Sequence, residues 1–418
     1  MTDRLPSYAL FAAMLSAAGL PIYIHAPKFY VDEFGVSLAA LGTVLFLLRL
    51  LDVFQDPALG WLSRRLRRHR AIAVGVGATV MGVSMVGLFA VTPPIAPLYW
   101  FALTLAGLFS GFSFLTISFY AQGVSKADAI GEGGHVRLAT WRETGALLGV
   151  SLAAVAPVAL LSLTESPFSM FAWGFAAVAV LAVIGMHREW RATERASAPG
   201  FGPILSDPLA RRLLLIALLN ATPVAVTSTL FLFFVESRLE APGWEEPLLL
   251  LFFLAAAGAA PVWGRIATAI GPKKALLAGM VLAILSFGCA AFLGPGDTLF
   301  FALICLASGA SLGADLTLLP AMFAARLDRI APEAAEGFGL WSFVSKFTLA
   351  FAAVTLLPIL EMQGFRGGAD GSAPPEDALV TLTRMYAILP CILKLFALAL
   401  LATTPIDDAR TTATLKEV

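Results

Sequence analysis

The apolar residues of this chain gather into runs of about 18–25, the length of a helix that crosses the hydrocarbon core of a bilayer. Inside lipid a backbone finds no water, so each such run is committed to helix. Twelve spans are read near 7–33, 36–63, 71–92, 98–122, 137–163, 168–187, 211–236, 246–268, 275–293, 298–325, 338–361 and 378–402. Turn residues punctuate them: "TPPIAP" follows the third, "LGPGD" the ninth, and "GGADGSAPPED" precedes the twelfth. The expected class is an all-α membrane protein of twelve transmembrane helices in two six-helix halves.

Composition agrees. Of 418 residues, 59% are hydrophobic and 13% charged, against roughly half and a quarter in an ordinary globular domain. The formal net charge of zero leaves no domain-scale basic face for nucleic acid. Cys289, Cys305 and Cys391 lie in apolar runs without zinc-like or CxxC spacing, and read as small core residues. "MTDRLPSYALFAAML" reads as the start of a first transmembrane helix rather than a removable signal peptide.

Basic residues orient the chain. With the N-terminus in the cytoplasm, the outer loops hold Arg238 and Arg366, and the dense "RRLRRHR" at 64–70 falls inside. The longest polar connection, "HREWRATERASAPGFG" at 187–202, sits midway. The expected division is therefore an N-terminal half at 1–187, a central cytoplasmic loop at 188–210, a C-terminal half at 211–403 and a cytoplasmic tail at 404–418. The glycine and basic turn of "GWLSRRLRRHR" return in "GRIATAIGPKK", as a duplicated architecture requires.

Charges inside spans cost about 2.5–3.5 kcal/mol each on insertion scales, so they mark function or pairing. Span two carries "RLLDVFQDPALGWL". Arg49, Asp52 and Asp56 are spaced i, i+3, i+7, which stacks them on one helix face, with Gln55 at its flank. Two carboxylates one turn apart repel unless a cation or proton intervenes. Pro57 frees a carbonyl oxygen one turn back, and carboxylate plus carbonyl oxygens suit a hard cation such as Na+. Asp52 and Asp56 are therefore the candidate cation-coupling and metal-ligating pair.

Other buried charges are expected around a cavity. Arg142 and Glu143 in "TWRETGALLG" point about 100° apart and are not expected to pair face to face. Arg142 is a candidate for binding anions or hydroxyls, or for pairing with Asp52 or Asp56. Asp315 in "GASLGADLTLLP" is expected to pair with Lys346 in "GLWSFVSKFTLAF". Pro21 and Pro27 are expected to bend span one, with Tyr23 and His25 lining a cavity together with Thr116, Asn220 and Trp341. Arg384 and Lys394 are assigned no function.

The span-two stretch resembles the signature of the glycoside–pentoside–hexuronide cation symporters, the melibiose permease-like group of the major facilitator superfamily. Arg49, Asp52, Asp56, Pro57 and Gly60 match it position by position. "FYVDEFGVSLAALG", "LLPAMFAARLD", Arg142 and the span-eleven lysine resemble further features of the group. The resemblance implies that Asp52 and Asp56 carry the coupling ion, Na+ or H+, and that Arg142 and Lys346 sit near a central cavity. Ser16 stands where sugar-binding members carry an acid in span one, Thr116 stands near the place of a span-four Asp, and Arg64 near that of an acid after Gly60. The solute is then either a sugar-like small molecule or an amphipathic, lipid-like one.

The expected function is secondary active transport by alternating access, as symport of a small organic solute, with export as the alternative direction. No cofactor is expected beyond the coupling ion. The expected setting is the inner cell membrane, as a monomer, with both termini cytoplasmic and lipid and solute as partners. No His cluster, serine motif or nucleotide loop suggests an enzyme. A non-transporting membrane sensor would need no titrating pair in span two.

Overall fold

The structure is a computed structural model, and it describes residues 4–190, 200–331, 335–362 and 375–406. Among these residues there are helices and no strands. In chain order the α-helices are α1 Leu5–Ala17, α2 Leu20–Phe34, α3 Leu38–Arg65, α4 Arg70–Phe89, α5 Pro97–Ile130, α6 Gly134–Leu160, α7 Pro167–Met186, α8 Gly202–Ser206, α9 Pro208–Phe233, α10 Glu245–Ile270, α11 Pro272–Cys289, α12 Thr298–Ile330, α13 Ala335–Met362, α14 Glu376–Thr383 and α15 Leu389–Thr403.

Eight helical stretches among the described residues are long and apolar enough to cross a membrane. Three others, α3, α6 and α13, run 28, 27 and 28 residues. These three are long enough to cross a membrane as well, and they carry Asp52, Asp56, Arg142, Glu143 and Lys346. Span one is two helices rather than one bent helix. It breaks at Ala18 and Gly19, and Pro21 opens α2, where a missing N–H costs nothing. Pro27 lies inside α2. Large apolar side chains stay exposed, among them Phe54, Trp173, Leu285, Phe300 and Phe396, as a surface facing lipid requires.

The chain forms two compact units. The first comprises residues 1–203 with 327–347, and the second 204–326 with 348–418. In the first, α1 lies along α6 through small residues. A Cβ built on Gly145 would sit 2.6 Å from Ala9 Cα, and one on Gly149 2.5 Å from Ala13 Cα. This is a small-xxx-small contact, in which the absent side chains let two backbones approach. Aromatic rings fill the rest of its core. Phe11 packs on Phe119 and Trp190, and the buried Tyr30 hydroxyl donates to the Leu88 carbonyl at 3.2 Å.

In the second unit, π-helical turns follow α9 at Phe234–Arg238 and α14 at Arg384–Ile388. Phe234 and Tyr386, one from each turn, stack with centroids 4.2 Å apart. Asp207 caps the start of α9, accepting from the Ala210 N–H at 2.7 Å and from Arg326 Nε, at the end of α12, at 3.0 Å. The Arg326 hydrogen bond holds the Asp207 carboxyl below its ordinary 3.8. A depressed carboxyl contributes stability that is present above its unfolded value and is lost as pH falls through the folded one. Wild type is therefore expected to melt above Asp207→Asn at pH 7, with the gap closing below about pH 4. Melting curves of both proteins across that range check it, and a gap that does not narrow as pH falls below about 4 would contradict it.

Candidate functional site

The site begins with a close helix crossing in the first unit. Ser37 starts α3 by accepting from the Ala40 N–H at 3.2 Å. Further along, Gly60 meets α13. Its Cβ, if present, would lie 3.0 Å from the Ala335 carbonyl oxygen, and a Cβ on Gly339 would lie 3.0 Å from the Asp56 carbonyl oxygen. Two glycines facing each other bring the backbones near enough for short α13 side chains to reach α3.

Asp56 is fully buried and Asp52 is 4% exposed. Ser342 donates to Asp56 Oδ2 at 2.5 Å. One turn on, Lys346 Nζ donates to Asp56 Oδ1 at 3.1 Å and to Ser113 Oγ of α5 at 2.6 Å, and lies 3.8 Å from Asp52 Oδ1. Gln55 Nε2 donates to Asp52 Oδ1 at 2.8 Å, and Ser110 donates to Gln55 Oε1 at 3.0 Å. Two acids, an ammonium, an amide and three hydroxyls from α3, α5 and α13 thus form one network. An ammonium between two carboxylates offsets the repulsion their spacing creates.

The expected Asp315–Lys346 pair does not form. Asp315 instead takes Lys394 of α15, in the second unit. Both lysines sit alone in apolar runs, and the choice between them is made by helix packing. Arg142 does not pair with Asp52 or Asp56, and the expectation that it could not pair with Glu143 is corrected. Arg142 Nε donates to Glu143 Oε1 at 2.7 Å, and the Tyr120 hydroxyl donates to the same oxygen at 2.8 Å. The guanidinium stacks over the Tyr120 ring, 3.6 Å from its centroid. Diverging Cβ directions do not bar two long side chains from curling together around a ring supplied by α5. Arg142 Nη2 is buried with no hydrogen-bond partner among the described residues.

His25 Nε2 donates to the Ala154 carbonyl at 3.0 Å, which ties α2 to α6. Thr116 Oγ1 and Asn220 Oδ1 are buried without a partner among the described residues. Trp341 is half-buried beside Ser342. The side chains of Arg49 and Tyr23 lie outside the described residues. Sequence reasoning missed Ser110, Ser113 and Ser342. Ser342 and Lys346 are spaced i, i+4, which places them on one face of α13, and that was the signal available. It also missed Tyr120, and it left Lys394 without a role.

A helical chain with apolar spans and buried charge clusters at close helix crossings has the build of a multi-pass membrane protein, and the family it matches is one of transporters. A family model described as MFS/sugar transport protein matches residues 7–408. The chain belongs to this family, within the major facilitator superfamily and its glycoside–pentoside–hexuronide group. Among solved structures it is similar to a bacterial homologue of the iron transporter ferroportin in an outward-facing state. The TM-score is 0.67 at 15% identity, over 94% of this chain and 99% of that one. The same homologue with soaked iron gives 0.67 at 14% identity, over 95% and 98%. At such identity the likeness is one of fold. A comparison with curated proteins found no match.

Proposed function

We propose that the chain is a cation-coupled symporter of a small organic solute of the sugar class, and that Asp52 and Asp56 carry the coupling ion. The observation that supports this most is the Lys346 ammonium held by Asp56 beside Asp52. A site that holds an ammonium by carboxylate and hydroxyl oxygens offers the same oxygens to Na+ or to a proton. Among the described residues no group of three or more His, Cys, Asp or Glu is placed for a metal. A sodium ion would therefore use the two carboxylates with neutral oxygens, a donor set suited to a hard cation.

The ion and Lys346 compete for Asp56. Ion binding releases the α13 ammonium from α3, and that biases a conformational equilibrium. Solute binding biases the same equilibrium, and coupling follows by reciprocal linkage. Arg142 supplies donors for solute hydroxyls through Nη2, while Glu143 and Tyr120 hold its other end.

The test is thermal stability of the purified protein with and without sodium, across pH, in wild type and Asp56→Asn. A ligand at about 100 times its Kd stabilises the folded state by about 2.7 kcal/mol. A sodium-dependent rise lost in the variant is the expected result. A pH dependence lost in the variant, with no sodium effect, would assign the proton as the coupling ion. Indifference to both ions would overturn the reading.

A further inference from the structure

The second unit contains a cavity of about 810 Å³ of empty space, its open mouth included, bordered by α9, α10, α11, α12 and the segment from Tyr386 to Lys394. Its wall is largely apolar, with Phe231, Phe287, Phe301 and Ile304 among the lining residues. Several lining hydroxyls are already spent. Thr227 donates to the Pro223 carbonyl, Ser308 to Ile304 and Ser311 to Ser308, each within its own helix. A guest therefore meets these residues mainly through carbon.

Asp315 and Lys394 also border this cavity, and they are the charged residues of its wall. Both are more than nine-tenths buried, at 7% and 4% exposed. Lys394 Nζ donates to Asp315 Oδ2. Asp315 Oδ1 has no hydrogen-bond partner among the described residues. A buried carboxylate oxygen without a donor costs free energy, so a bound donor at that atom is favoured. An ammonium carries three hydrogens, and one goes to Oδ2.

The charges narrow the guest. Lys394 already neutralises Asp315, so a cation gains little, and an anion meets a carboxylate. A neutral hydroxyl suits both partners, because it donates one hydrogen and accepts another. We propose that this cavity is a binding site for an uncharged apolar molecule carrying a hydroxyl group, which donates to Asp315 Oδ1 and accepts from Lys394. The site lies wholly in the second unit, while the Asp52, Asp56 and Lys346 network lies in the first. The proposal therefore stands or falls apart from the coupling reading.

The experiment uses the full chain in lipid nanodiscs and a medium-chain primary alcohol bearing a diazirine. After illumination the labelled peptides are mapped by mass spectrometry. The expected labels fall on α11 and α12 residues that line the cavity, such as Phe287 and Ile304. Unlabelled alcohol should compete about tenfold better than the matching alkane, the worth of about one hydrogen bond. Ser308→Trp, which fills the cavity, should remove the labels.

The double variant Asp315→Leu/Lys394→Leu removes both charges together and leaves no bare ion. It should still be labelled but lose the preference for alcohol over alkane, and it decides the matter if Ser308→Trp does not fold. Labels confined to outward residues such as Leu285, Phe300 and Phe396 would overturn the proposal. So would equal competition by the alkane in wild type, or an alcohol preference that survives in the double variant.

Discussion

Asp56→Leu is expected to destabilise the folded chain by about 3–5 kcal/mol, the cost of breaking a buried ion pair from one side. Asp56 is fully buried. Its loss leaves the Lys346 ammonium near Asp52 at 3.8 Å and Ser113 at 2.6 Å, without its nearest carboxylate. The Ser342 hydroxyl loses its acceptor as well. Adding Lys346→Met removes the stranded charge and is expected to restore most of the stability, because an apolar replacement of both partners is often neutral. Transport should not return, since the acid proposed to carry the ion is still missing. Melting temperature and ion-driven solute uptake into proteoliposomes, measured on both variants, separate the two effects. A double variant as unstable as the single one would mean that the pair is not energetically linked. Coupled uptake by the double variant would remove Asp56 from the coupling site.

The second large effect is expected at the crossing of α1 and α6. Gly149→Leu has no room, since even a Cβ would lie 2.5 Å from Ala13 Cα. The obstacle is backbone, and rotamer changes cannot relieve it. Overpacking a core costs about 1–3 kcal/mol where side chains can yield, and a helix backbone yields less. For a chain of 418 residues, where each kcal/mol moves the melting temperature by about 1 °C, a fall of about 3–5 °C is expected. Gly174→Leu in α7 is the control, because a Cβ there meets nothing within 4 Å. It should be neutral or slightly stabilising, since leucine favours helix over glycine by nearly 1 kcal/mol. If the two variants melt alike, the glycine is not what sets the α1–α6 distance.

The span-two face is legible in the amino-acid sequence because it is local. Three charges at i, i+3 and i+7 share a face wherever the helix goes, and apolar run length alone demands a helix there. The partners of those charges are less legible. Asp315 lies 31 residues from Lys346 and 79 from Lys394 by number, and the nearer lysine is the natural choice. Chain distance says little in a bundle, where any helix can pack on any other. The Arg142–Glu143 contact escapes the sequence for a related reason. Backbone geometry fixes where a side chain starts, and a ring from another helix decides where it ends.

The sequence by itself determined the helical class, its membrane setting and the chemistry available on each helix face. Those depend on hydrophobic length and on the 3.6-residue period, both short-range properties of the chain. Only the tertiary structure decided that Lys346 serves Asp56, that Lys394 serves Asp315, and that a largely apolar cavity opens beside the latter pair. Those outcomes hang on which backbones approach most closely. Gly60 and Gly339 set that approach for the first pair, and a glycine announces its close neighbour only once both helices are in place.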